Sequence, residues 1–440
     1  MTRGTSLSGV PVSTMTVLML SVFTVSMGYG VILPLLPYLI ERLLGAGGNA
    51  SQVSTSTGLL TGFYTLSLFL FAPTWGRLSD RYGRRIILLV GMIGFGATML
   101  SFAFVDNLVA VYAGRFLAGM FSAAVTPVAL ATIGDLAVSE ETRGRRLTIV
   151  SLAGISGFLL GPMLGVFLAR STAGILPVAG AAGSIALPLA WTALLAFLVA
   201  ACAALAVPKT ERPDATLGIK AVSKANRWLV PNLLLLSFAV SAAVGVFEVG
   251  LALRGKQELG LSQYQIASMF TECSLVMFIV QAIVFSPWVK PETTRGFISP
   301  ALGVLAIGLF LVPRADSFAL MLAVIGAVAA SAGILSPILT YWISSKAGRA
   351  QGRELGKQTA AASLGAAVGS VVGGILFDVA WLPGALVLSL GLPNKLLRSK
   401  RAAADTIVPF AASRPRTNHL TFSANDGRSR PMQNEDQNHV

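Results

Sequence analysis

Few residues deep in the apolar runs of this sequence can carry charge, and three stand out: Arg115, Glu248 and Glu272. Arg115 lies about seven residues into its run, roughly 10 Å deep at the helical rise. A charge at that depth needs a partner or a water-filled cavity; the alternative is an arginine that snorkels to the outer surface. At about 100° per residue, Gly119, Ser122 and Thr126 share its face and make a small, polar stripe. Glu248 sits near the outer end of its run, on a face with Ser237, Ser241 and Gly245. Glu272 is deeper, about nine residues or roughly 13 Å in, with Gln265 two turns earlier. A carboxylate that water reaches from alternate sides can take up a proton and give it back, the chemistry a proton-driven transporter requires. A hydrogen bond between helices is the other use such a residue can have. Asp378, near the end of a run, reads as a helix-end residue. His419 and His439 fall close to the C-terminus, so histidine supplies no proton or metal chemistry among the apolar runs. Cys202 and Cys273 both lie inside apolar runs and imply no disulfide framework.

These groups must be held by membrane-spanning helices. Of the 440 residues 54% are hydrophobic and only 12% charged, against about 25% charged in soluble domains. Apolar runs long enough to span occur near 15–40, 54–75, 86–105, 108–131, 147–169, 186–207, 229–253, 263–288, 297–313, 317–342 and 359–380. The first is too long for a cleaved signal and reads as a retained span. A twelfth run, Trp381–Leu392, ends at Pro393 and is too short to cross as a helix. With the N-terminus inside, nineteen lysines and arginines ahead of residue 393 fall in inner loops and five in outer ones, which fixes the orientation. That distribution also explains the net charge of +14 without a nucleic-acid partner.

The chain repeats itself. Ser151-Leu152 recurs as Ser363-Leu364, and Gly157 and Gly161 recur as Gly369 and Gly373, all at one spacing; Pro73 and Pro127 recur as Pro287 and Pro337 at nearly the same one. The expected fold is an all-α polytopic membrane protein of two pseudo-symmetric six-helix bundles, the twelfth span short or atypical. Residues 1–207 form the first bundle, 208–228 a cytoplasmic linker, 229–392 the second bundle and 393–440 a polar tail predicted to be disordered. Two related halves with a substrate site between them are a common transporter plan.

Two stretches are more specific. The loop GRLSDRYGRR, Gly76–Arg85, sets Asp80 among four arginines; Asp80 can pair with one of them or sit at a helix N-terminus, and Gly76 and Gly83 can supply a tight reversal. In the fifth run Gly154, Gly157, Gly161 and Gly165 fall on one face, a strip without side chains that lets another backbone approach closely. Pro162 in the same run is expected to kink the helix or weaken its hydrogen bonding.

The order of residues in that loop resembles the G-x-L-x-D-R-x-G-R-R loop of the major facilitator superfamily, and the resemblance extends over 15–380. It implies a gate latch in which Gly76, Asp80, Arg81, Gly83, Arg84 and Arg85 stabilise the outward-facing state. The copy after the eighth span, SPWVKPETTRG, keeps Pro287 and Arg295 but lacks the glycine and the acid. Arg115 is similar to the family's fourth-span arginine, for which a part in proton transfer is implied. Gly161-Pro162-Met163-Leu164-Gly165 with the glycines before it resembles the family's antiporter motif, with Val166 where a final glycine is usual. That motif implies a seal against leakage and favours export over import. Many multidrug relatives carry an acid in the first span; none occurs here between Thr16 and Ile40. Gly28-Tyr29-Gly30 and Pro34…Pro37 look like the family's flexible first span.

The expected function is proton-coupled efflux of small lipophilic molecules or drugs by alternating access. The protein would act as a monomer in the inner or plasma membrane, with small-molecule substrate, protons and the lipid bilayer as its partners. The alternatives are facilitated or symport uptake of a small metabolite, or a family member that does not transport. No cofactor or metal cluster and no enzymatic motif is read from the sequence, and no ATP-hydrolysing domain, so energy comes from a gradient.

Overall fold

The first apolar run does not form one uninterrupted helix. In the computed structural model α1 (Val12–Ile32) gives way to a 3-10 turn at Leu33–Leu35, and α2 (Leu36–Leu44) carries the span to its end. Pro34 and Pro37 account for the interruption, since neither has an N–H to donate and each ring crowds the turn before it. The structure describes residues 11–102, 104–136, 140–172, 182–208, 229–284, 294, 296–347 and 351–377. Most of the linker and most of the altered loop copy after the eighth span lie outside them, as do Asp378, the twelfth run and the tail.

The remaining described helices are α3 (Ala50–Tyr82), α4 (Arg84–Phe102), α5 (Leu108–Leu136), α6 (Glu140–Thr172), α7 (Ala182–Ala206), α8 (Leu229–Gln257), α9 (Gln263–Val284), α10 (Ile298–Leu311), α11 (Phe318–Ala347) and α12 (Gln351–Ile375). With α1 and α2 counted as one, ten of these segments are long and apolar enough to cross a membrane, and Ile298–Arg314 is a shorter apolar helix. Asn49 starts α3 with a capping box: its side chain accepts from the Gln52 N–H at 2.8 Å, and the Gln52 side chain accepts from the Asn49 N–H at 3.2 Å.

The GRLSDRYGRR stretch differs from its expected form. Residues 76–82 continue α3, and Gly83 alone, at φ 95°, turns the chain into α4. A side-chain-bearing residue adopts that φ only with strain. Gly76 is helical, and a methyl group there would meet nothing within 4 Å, so the reversal does not require it.

Burial divides the helices into two sets. One apolar core is drawn mainly from α1–α7, around Leu18, Leu36, Leu88, Phe95 and Ile133; the other comes mainly from α8–α11, around Phe270, Leu305, Ile325 and Ile343. Their packing follows one scheme. In the first set α6 lies on α1, and α5 on α3 and α4; in the second α12 lies on α8, and α11 on α9 and α10. Between the sets α3 packs on α12 and α9 on α6, the two halves of one pseudo-symmetric crossing.

Candidate functional site

The glycine strip on α6 is buried against α1. A methyl built at Gly161 would fall 2.6 Å from the Met27 carbonyl oxygen, and one at Gly157 would overlap the Phe23 carbonyl. At Gly154 and Gly165 it would meet Val22 and Val31 side chains at 3.1 Å. The expected close approach of two backbones is therefore present, with α1 as the partner. Pro162 sits inside α6 without ending it.

Close packing by α6 brings the middle of α1 to the centre of the molecule. Tyr29, between Gly28 and Gly30, stacks on Tyr64 of α3 at a centroid separation of 4.9 Å and on Phe158 of α6 at 5.8 Å. Its hydroxyl donates to Glu248 Oε2 of α8 at 2.8 Å. Arg115 of α5 is completely buried. Its Nε donates to the Leu60 carbonyl at 3.3 Å, and its guanidinium carbon lies 4.6 Å from the Tyr64 ring centre and 5.6 Å from that of Tyr29. Nη1 and Nη2 have no hydrogen-bond partner among the described residues. The rings supply the guanidinium with their electron-rich faces. Arg115 thus faces inward and does not snorkel. The Tyr64 hydroxyl donates to Ser122 Oγ at 3.0 Å, which places one member of the predicted Arg115 stripe in the same cluster. At Gly119 a side chain would strike α3, so that residue serves helix contact.

A central cavity of about 470 Å³ opens beside this cluster. Its lining includes Tyr29, Tyr64, Phe158, Phe247, Phe270 and Met277, with serine and threonine hydroxyls that include those of Ser122, Thr126 and Ser241. Glu248 is the one charged residue among the described lining. It lies deeper than the sequence suggested, because α8 runs on to Gln257. Ser241 and Gly245 share the lining with it as expected, whereas Ser237 is buried away from it. Glu272 is not part of the lining. It faces α11, with Oε1 3.7 Å from where a methyl on Gly326 would sit, and its buried Oε2 has no hydrogen-bond partner among the described residues.

The cavity is shut at the end where α2 meets α3 and α8 meets α9. There Lys256 of α8 binds Glu41 and lies 4.8 Å from the centre of the Tyr38 ring, and the Tyr38 hydroxyl donates to the Leu261 carbonyl at 2.6 Å. Ser54 donates to the Gln257 side chain at 3.2 Å. One layer in, a methyl at Gly58 of α3 would fall 2.6 Å from Gly374 Cα of α12.

At the opposite end the acid of GRLSDRYGRR is paired. Asp80 binds Arg84 at 2.6 Å, and Arg84 Nε also reaches Asp135 at the end of α5, at 2.9 Å. Arg85 donates to the Ala204 carbonyl of α7. Arg81 lies 5.4 Å from the centre of its neighbour's ring, Tyr82, and joins neither pair. Nothing in the motif points to Asp135, which is 55 residues from Asp80 and outside it. Tyr29 and Tyr64 were equally hidden, since aromatic residues abound in apolar helices.

Two bundles of membrane helices around a central crevice define the class of transporter folds. The profile of the Major Facilitator Superfamily matches residues 18–374, and the chain belongs to that superfamily; it is a multi-pass membrane transporter and not an enzyme. It is 25% identical over 342 residues to Multidrug resistance protein 1 of Bacillus subtilis (strain 168), covering 77% of this chain and 83% of that one. It is also 25% identical over 341 residues to Quinolone resistance protein NorA of Staphylococcus aureus, covering 76% and 82%. Among solved structures, D-xylose-proton symporter superposes with a TM-score of 0.70 at 17% identity over 86% of this chain and 96% of that one. The human organic anion transporter MFSD10 (TETRAN) superposes with 0.64 at 20% identity over 86% and 99%. At those identities the likeness is one of fold.

Proposed function

We propose that the chain is a proton-coupled exporter of small lipophilic compounds that works by alternating access. The observation that carries this reading is the cavity, in which Glu248 is the one charged group among the described aromatic, aliphatic and hydroxyl-bearing lining residues. Such a surface suits a substrate held by shape and ring contact more than by a dense set of hydrogen bonds. A single carboxylate serves a proton or a cationic group, and the two compete for it, which is the requirement of exchange. The resistance functions in the names of the two bacterial relatives agree with this direction of transport.

In this reading the N-terminus is cytoplasmic, the protein acts as a monomer in the plasma membrane, and the shut end faces outward. Residues 1–207 and 229–392 are the rocking halves. The GRLSDRYGRR stretch latches the outward-facing state when the inner ends of the two halves meet, with the Asp80–Arg84–Asp135 pairing holding the stretch in place within the first half, and the α6–α1 seam keeps the first half from leaking as it moves. Of the two candidate carboxylates, Glu248 is the proton carrier, and Glu272 supports the packing of α9 on α11.

Everted vesicles test this directly. With an imposed pH gradient, Glu248→Gln is expected to accumulate a lipophilic cation dye no better than empty vesicles while still exchanging dye across the membrane without a gradient. Glu272→Gln is expected to retain gradient-driven accumulation. Wild-type pumping by Glu248→Gln, or its loss in Glu272→Gln alone, overturns the assignment.

A further inference from the structure

The two halves meet at mid-depth through residues in matching positions. On α6, Gly161 packs on Met27 of α1; on α12, its repeat partner Gly373 packs on Val246 of α8. Met27 and Val246 are therefore equivalent, and Tyr29 and Glu248, two residues further along each helix and 219 apart in the chain, are equivalent too. The Tyr29–Glu248 hydrogen bond joins a position of one half to its counterpart in the other. We infer that Tyr29 is the positioning residue that ties the charge of Glu248 to the closure of the two halves, so that protonation of Glu248 and release of that contact are one event. The inference rests on Glu248 being the carboxylate that takes the proton.

The chemistry is a competition for one oxygen. Ionised Glu248 accepts the Tyr29 O–H at Oε2. A proton on the carboxyl removes its charge and leaves a weaker acceptor for the Tyr29 O–H, and a substrate cation at the carboxylate competes for the same lone pairs. Hydrogen bonds to a charged acceptor are the strong ones, so the ionised form favours the joined state. Tyr29 cannot swing away to follow the carboxylate, because Tyr64 and Phe158 hold its ring. The other titratable and charged groups around the contact are Tyr64 on α3, Arg115 on α5, and Cys273 and Glu272 on α9. Arg115 lies against the Tyr29 and Tyr64 rings, and the described lining residues of α11 and α12 bring no titratable group.

The test reads the distance across the shut end, without needing a substrate. Spin labels are placed at Ser51 on α3 and Tyr264 on α9, both exposed, in a Cys202→Ser background, and distances are measured in nanodiscs from acid to alkaline pH. In the otherwise unaltered protein the short-distance population is expected to grow with pH. Tyr29→Phe keeps the ring and removes only the hydroxyl; it is expected to cut that population about tenfold relative to the open one at alkaline pH, the worth of a hydrogen bond to a charge, and to flatten the pH dependence. Glu248→Gln is expected to be flat at every pH. If Glu248→Gln keeps the wild-type profile, the proton-carrier reading itself fails. If Glu248→Gln is flat while Tyr29→Phe follows the wild-type profile, Tyr29 is not the link and this inference alone falls.

Discussion

The α6–α1 seam and the α12–α8 seam are the same construction used twice, and they part at two positions. Gly157 and Gly161 lie over the Phe23 and Met27 carbonyls; Gly369 and Gly373 lie over Ala242 and Val246 in the same way. The residue after Gly161 is Pro162, whose ring packs on Gly30 of the same half, whereas the residue after Gly373 is Gly374, which meets Gly58 of the other half. Two turns before Gly161 and Gly373 the pattern inverts. Gly154 of α6 faces Ser26 of α1, and in the second half Ala366 of α12 faces Gly245 of α8. The space is conceded by whichever helix carries the smaller residue. The shared part of each seam makes a half rigid; the position after it is free to serve a different contact, internal in one half and across the crevice in the other.

That comparison breaks if equivalent substitutions act unequally. The largest effect is expected for Gly157→Val and Gly369→Val, each of which drives a branched side chain into a partner backbone that cannot turn aside. Both should lose about 3 kcal/mol or more, read as thermal unfolding in detergent. Tolerance of one and not the other would show that the seams are not equivalent in strength. A smaller effect is expected for Gly374→Val. It leaves the four seam carbonyls alone and presses α12 from α3, so folding should change by about 1 kcal/mol while the shut end loosens. A cysteine introduced at Ser54, buried there in the wild type, should then react faster with a soluble maleimide; an unchanged rate would mean that the Gly58–Gly374 contact does not hold that end. The smallest effect is expected for Gly154→Ala. It copies the second seam's Ala366, the Val22 side chain can yield at 3.1 Å, and alanine recovers up to about 1 kcal/mol of helix propensity. Stability should stay within about 0.5 kcal/mol of wild type or rise; a clear loss would show that the first seam is the tighter.

Much of this architecture was legible in the sequence because it depends on local properties. Apolar length gave the spans, the repeated glycines gave the two halves, and the depth of Arg115 marked it as a residue needing company. Helical spacing put the four α6 glycines on one face but was silent about what covers that face. The GRLSDRYGRR stretch reads as a tight loop in the sequence and is mostly helix in the structure: its residues suit a helix up to Tyr82, and a single left-handed glycine suffices for the reversal. Glu248 and Glu272 were indistinguishable as carboxylates in apolar helices, since one residue of rotation decides whether a side chain sees a cavity or a neighbouring helix.

The sequence by itself determined that this chain spans a membrane many times, that it is built from a duplicated unit, and that α6 presents a bare strip to some partner. Hydropathy, repeat spacing and helical periodicity are carried within a few turns of chain and need no knowledge of what lies alongside. The tertiary structure decided that α1 covers that strip, that Asp135 completes the charge cluster around Arg84, and that Tyr29 reaches Glu248 across 219 residues. Those pairings follow from how helices pack around a shared crevice, where a contact joins residues that no local pattern relates.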